Sequence, residues 1–185
     1  EGTLHFRGYT IDVIDLPGIY SLSTYSLEEV VSREYIAVER PDLVINVVDA
    51  SVLERNLFFT LQLMELGTPM VVALNQMDMA AKRGIKIDHE KLQSLLGIPV
   101  VPTVAVKGTG VYELLEKSLE VIEKGGRKPS EIKYGAEVEE RIGKIAGMVE
   151  KTRFRYPARW TAIKLLEGDR EVRREIGKIN PKILS

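Results

Sequence analysis

The chain predicts an α/β fold: a mostly parallel sheet with flanking helices, followed by a small all-α segment. Two apolar runs, Leu43-Val44-Ile45-Asn46-Val47-Val48-Asp49 and Met70-Val71-Val72-Ala73-Leu74-Asn75, have the continuity of strands buried on both faces. Segments of helical periodicity alternate with such strands, which favours parallel pairing through helical crossovers. Beyond Gly125-Gly126-Arg127-Lys128-Pro129-Ser130 the strand signals cease and only helical periodicity remains.

Taken in order, Leu4-His5-Phe6 and residues 10–15 alternate around Arg7-Gly8-Tyr9, a hairpin signal. Residues 26–37 carry Leu27, Val30, Val31 and Tyr35 at helical spacing, with Ser26 and Glu29 as a capping box. After the first apolar strand comes a helix over 54–65, closed by Gly67 and Pro69. The second strand follows, then a short helix over 88–96 capped by Asp88 and stopped by Gly97. Residues 100–104 read as a further strand, and 110–124 as an amphipathic helix with Leu114, Leu115, Leu119 and Ile122 inward. The tail predicts helices over 136–152, 158–167 and 170–178. The boundary falls in the Gly-rich run, giving domains 1–126 and 127–185. The second is too short to hold much core alone, so it packs on its neighbour or is itself cut short. Trp160 is assigned to that packing, and the Glu/Lys mixture over 137–151 to a solvated helix face.

Of the 185 residues, 44% are hydrophobic and 29% charged, as in a globular protein with a real core, and the net charge of −1 gives no electrostatic case for nucleic acid. The absence of cysteine excludes disulfides and thiolate chemistry. No apolar run reaches the roughly 18 residues of a membrane span. His5 and His89 lack ligand spacing, and no paired His or Cys residues suggest an iron site. The abrupt start, one hairpin before a strand, reads as a piece of something longer.

Three motifs carry chemistry. Asp15-Leu16-Pro17-Gly18 follows the hairpin. An acid at such a place holds Mg²⁺ through water, and the glycine admits a backbone N–H to a terminal phosphate. Loss of that phosphate would release residues 19–32. Sixty positions beyond Asp15 stands Asn75-Gln76-Met77-Asp78. A carboxylate at Asp78 accepts both the N1–H and the N2–H of guanine and rejects adenine, which leaves it unpaired. Asn75 contacts the base edge or ties neighbouring loops, and the stem of Gln76 lies over the purine. Thr103-Val104-Ala105 offers a backbone N–H to guanine O6, with Lys107-Gly108-Thr109-Gly110 leading into the next helix. Each motif is expected at a strand's C-terminal end, where α/β folds bind ligands. Their order is that of a P-loop GTPase of the Ras-like type and not of a circularly permuted one. Asp49 could cap the next helix or touch the nucleotide loops, and the cap is the favoured reading. A Gly-x-x-x-x-Gly-Lys-Ser/Thr phosphate loop does not occur in the sequence.

The run from Gly8 to Leu22, the string Ser32-Arg33-Glu34-Tyr35-Ile36, residues 84–103, and the tail string from Tyr156 to Asp169 resemble the cytosolic part of the FeoB ferrous-iron transporters. The resemblance implies a G domain followed by a partial helical domain with a role in stabilising bound GDP. It also implies that the N-terminal strand, phosphate loop and first switch precede Glu1, so that this piece alone is inactive. In the intact protein it implies GTP/GDP and Mg²⁺ as ligands, a response to K⁺, a membrane permease in the same polypeptide, a place at the cytoplasmic face of the cell membrane, and homo-oligomers as an option. Ile19 stands where many GTPases carry a water-positioning Gln, which implies slow hydrolysis. Two rivals stay open: a ribosome-assembly GTPase, and an interaction module that kept the fold without the nucleotide.

Overall fold

The computed structural model describes residues 1–19, 21–22, 26–126 and 129–184. Tyr20 and Ser23-Thr24-Tyr25 of the expected switch segment, and Arg127 and Lys128 of the expected boundary, lie outside the described residues.

Strands β1 (Gly2–Phe6) and β2 (Tyr9–Val13) form an antiparallel hairpin. Its turn is Arg7-Gly8, with φ of 47° and 81°, the positive values that a twisted two-residue turn requires. Strands β3 (Val44–Asp49), β4 (Met70–Asn75) and β5 (Val100–Pro102) form a three-stranded parallel sheet in that order. The hairpin is a separate two-stranded sheet, which corrects one expectation. Asp15 does not end a strand of the parallel sheet: β2 pairs only with β1 and stops at Val13, opposite Gly2. The hairpin docks instead on α5 (Val111–Glu123). Phe6 meets Tyr112 edge-on at 5.2 Å between ring centroids, the Tyr9 hydroxyl donates to Glu123 at 3.0 Å, and Arg7 pairs with Glu116.

β4 is central and buried from Met70 to Leu74. Among the described residues β3 is an edge strand with one face covered: Val48 is buried whereas Val47 is 62% exposed. The reading of both runs as buried on two faces therefore holds for β4 alone. Helix α1 (Leu27–Glu34) begins with the expected capping box, in which Ser26 and Glu29 each accept the other's backbone N–H. It widens into a π-helix over Tyr35–Glu39. Its apolar stripe is not its buried face. Leu27 is 74% exposed, while Ser32, Arg33, Ile36 and Ala37 are buried. The aromatic and acidic partners of the helical segment select that face.

The remaining α/β helices are α2 (Leu53–Glu65), α3 (Met77–Lys82), which the sequence reading missed, and α4 (His89–Leu96). Asp88 caps α4 by accepting the Lys91 N–H at 2.9 Å. The tail folds as α6 (Ala136–Val149), α7 (Ala158–Leu166) and α8 (Arg170–Ile179). Tyr156, Trp160 and Val172 join Val48, Met70 and Leu74 in one apolar cluster, so the tail shares the core of the α/β part, as expected for Trp160.

Candidate functional site

The C-terminal end of β4 builds the site. Thr103 N–H donates to Leu74 O at 2.8 Å, carrying the β4–β5 pairing one residue past β5. The chain then turns at Gln76, which adopts a left-handed conformation (φ 60°) and precedes α3. Asn75 ties the two loops together. Its Oδ1 accepts the Ala105 N–H at 3.0 Å and the Thr103 hydroxyl at 3.3 Å. Met77 N–H adds a bond to Thr103 O at 3.4 Å. Asn75, Met77, Thr103 and Ala105 therefore meet in one knot, and Asp78 emerges from it on the first turn of α3.

The second loop is equally fixed. Val104 and Thr109 exchange backbone hydrogen bonds at 3.0 and 3.3 Å, and Ala105–Lys107 form a 3-10 turn between them. Gly110 has φ 78°, and a Cβ there would lie 2.2 Å from Pro102 O. These bonds engage the amides of Thr103, Val104 and Ala105 within the protein. The amides of the triplet expected to supply the O6 donor are thus all engaged by protein acceptors. Among the described residues, the Val106 N–H has no hydrogen-bond acceptor, and Val106 is 94% exposed. Residue types alone carry no sign of this, because amide availability depends on tertiary pairing.

Asp78 has a partner that the sequence reading left among its flanking context. Lys107 Nζ lies 2.9 Å from Asp78 Oδ2. That hydrogen bond is the largest cause holding the Asp78 carboxyl below its ordinary pKa, with smaller contributions from the Met79 N–H and Lys82. Gln76 and Asn75 line a cavity of about 260 Å³ with Val47, Asp49, Val52, Arg55 and Asn56. Asp49 accepts the Ser51 N–H at 2.8 Å, which is the favoured capping role.

Asp15-Leu16-Pro17-Gly18 forms a distinct turn. Leu16 and Ile19 pack against the main core, leaving Asp15 and Gly18 exposed. Among the described residues, nothing lies within 4 Å of where a Cβ on Gly18 would stand. Among the described residues, no hydrogen bond or ion pair links this turn to Asn75-Gln76-Met77-Asp78. Leu22 N–H donates to Gln62 Oε1 on α2 at 2.7 Å, anchoring the chain beyond the turn.

A parallel α/β sheet carrying this turn at the tip of β4, with a helical segment behind it, defines the class of G domains. The family described as ferrous iron transport protein B matches residues 1–118, and the FeoB cytosolic helical domain matches residues 134–185. The chain belongs to the FeoB family. The Fe(2+) transport protein A/Fe(2+) transporter FeoB fusion protein of Porphyromonas gingivalis is 44% identical over 184 residues, 96% of this chain and 22% of that protein. Crystal structures of the cytosolic domain of T. maritima FeoB superpose with TM-scores of 0.89 in a GDP form and 0.88 in the GMPPNP form, each at 38% identity. Each superposition covers 97% of this chain, against 70% and 71% of those chains. This chain thus spans about a fifth (22%) of the length of the curated relatives. The family match starts at residue 1, so it lends no support to the expected loss of an N-terminal phosphate-loop part. None of the described helices is long and apolar enough to cross a membrane.

Proposed function

We propose that this chain binds guanine nucleotides and acts as the nucleotide switch of a ferrous-iron uptake protein, at the cytoplasmic face of the membrane that holds its permease. Residues 1–126 form the G part and 127–185 the helical part. The observation that carries this reading is the knot at Asn75, which fixes Asp78 and the Val106 amide on adjoining loops. Asp78 accepts the guanine N1–H and N2–H, and Val106 N–H donates to O6. Adenine would leave both groups unpaired.

The Asp15-Leu16-Pro17-Gly18 turn serves the phosphate side, with the Gly18 N–H as the sensing donor. Asp15 is a single exposed carboxylate, which suits an outer-sphere contact to hydrated Mg²⁺ and not a protein-built cage. Bound there, the metal would neutralise phosphate charge. The Ile19 side chain has no polar group to orient water, so GTP hydrolysis in the intact protein is slow or uses backbone groups or a partner. The nucleotide-dependent change passes from this turn through α1 to the helical segment, where Arg33 donates to Glu171 at 2.7 Å.

Asp78→Asn in the full-length protein tests base recognition. The amide offers a donor where guanine also donates, so affinity for GDP falls about a hundredfold and xanthosine diphosphate binds in its place. Titration with fluorescent nucleotides measures both. An unchanged guanine preference would overturn the assignment.

A further inference from the structure

We propose that Lys107 is a latch on the base-recognition carboxylate, competing with guanine for Asp78 and so setting how fast nucleotide enters. The inference rests on the assignment of Asp78 made above. Two oxygens are needed to accept guanine's paired N–H groups, and one of them, Oδ2, is held by Lys107 Nζ at 2.9 Å. The ammonium takes one acceptor direction of Oδ2 and draws on its charge, so it competes with guanine's approach to both oxygens.

The lysine is aimed by the same bonds that build the base loop. Its N–H donates to Val104 O at 2.9 Å, and the following Gly108 turns in the left-handed region with φ 69°. Ala105, two residues before it, is held by Asn75. The latch and the reading carboxylate are thus two ends of one constrained loop pair. The other nearby cation, Lys82, acts on Asp78 through charge alone.

The side chains are 61% and 26% exposed for Lys107 and Asp78, so water competes well for both. An exposed pair of this kind changes an equilibrium by about two- to fivefold, which slows entry without blocking it. The ammonium, once displaced, reaches solvent freely.

The test is stopped-flow binding of fluorescent GDP to the full-length protein and its Lys107→Met and Lys107→Arg variants. Lys107→Met keeps the stem and removes the charge. It is expected to raise the association rate and lower Kd about two- to fivefold. Lys107→Arg restores the slower association. In the Asp78→Asn background, where the carboxylate is gone, Lys107→Met is expected to leave xanthosine diphosphate binding unchanged. Equal or weaker GDP binding by Lys107→Met, beside a wild type that binds GDP, would overturn the latch and leave the base site standing. A wild type that fails to bind GDP would overturn the base site and the latch with it.

Discussion

Gly110 decides the shape of the base loop by what it lacks. Its φ of 78° disfavours any side chain, and its Cβ position falls 2.2 Å from Pro102 O, a backbone atom that cannot step aside. Gly108 has a similar φ of 69° but open space around its Cβ position. The two glycines separate backbone strain from steric clash. Gly108→Ala is expected to cost about 1 kcal/mol and Gly110→Ala about 2 kcal/mol or more. Urea unfolding of the two variants measures the difference, and equal losses would show that the Pro102 contact relaxes. At this scale the sequence was legible where residue type alone carries the chemistry. Asn75 and Asp78 have the side chains a base-reading turn needs. The parts proposed for Val106 and Lys107 were not legible, because one depends on an amide left over by tertiary pairing and the other on a 2.9 Å approach across two loops.

At the scale of elements, α1 illustrates a limit of periodicity. Its capping box was plain in the sequence, yet its buried face was not. Arg33 is fully buried, lies 5.1 and 5.7 Å from the ring centroids of Tyr156 and Trp160, and pairs with Glu171 at 2.7 Å. Among the described residues, its Nε and Nη1 have no hydrogen-bond partner. Beside it, Arg155 bridges Glu34 and Glu175 at 2.9 and 2.8 Å, and the Tyr156 hydroxyl bonds to Glu34. An arginine on a helix reads as solvated until α7 and α8 are known to cover it. Glu171→Gln leaves a buried guanidinium without its counter-charge and is expected to cost about 2–4 kcal/mol. Arg33→Met removes the buried charge, keeps the bulk over the rings, and leaves a carboxylate that water can reach, so it is expected to cost less. Chemical denaturation gives the ranking. A larger loss for Arg33→Met would show that the cation–ring contacts outweigh the burial penalty.

For the whole molecule, one guanidinium draws partners from both the α/β part and the tail. Arg159 on α7 bonds to Glu139 on α6 at 2.8 Å and to Ile132 O at 2.6 Å, and lies 3.4 Å from Glu65 at the end of α2. The sequence placed the tail helices and their docking correctly, because apolar spacing fixes both. It read the 137–151 stretch as a solvated face, which fits Glu137 and Glu140 but not Glu139, which turns inward to Arg159. The Arg159 hydrogen bond, followed by that of the Tyr134 N–H, lowers the Glu139 carboxyl to about 2, whereas burial raises that of Glu65. The two therefore respond to acid with opposite signs. Glu139 stabilises the fold above its ordinary value of 4.5, and this is lost as pH falls toward about 2. Glu65, raised above 4.5, stabilises the fold in its protonated form, and that contribution is lost as pH rises through its folded value. Thermal unfolding between about pH 6 and pH 2.5 separates them. Glu139→Gln is expected to lower Tm at neutral pH and flatten its fall in acid, while Glu65→Gln removes the opposing gain and makes the fall steeper just above pH 4.5. Parallel profiles for both variants and the wild type would mean that acid loosens the molecule elsewhere than at Arg159.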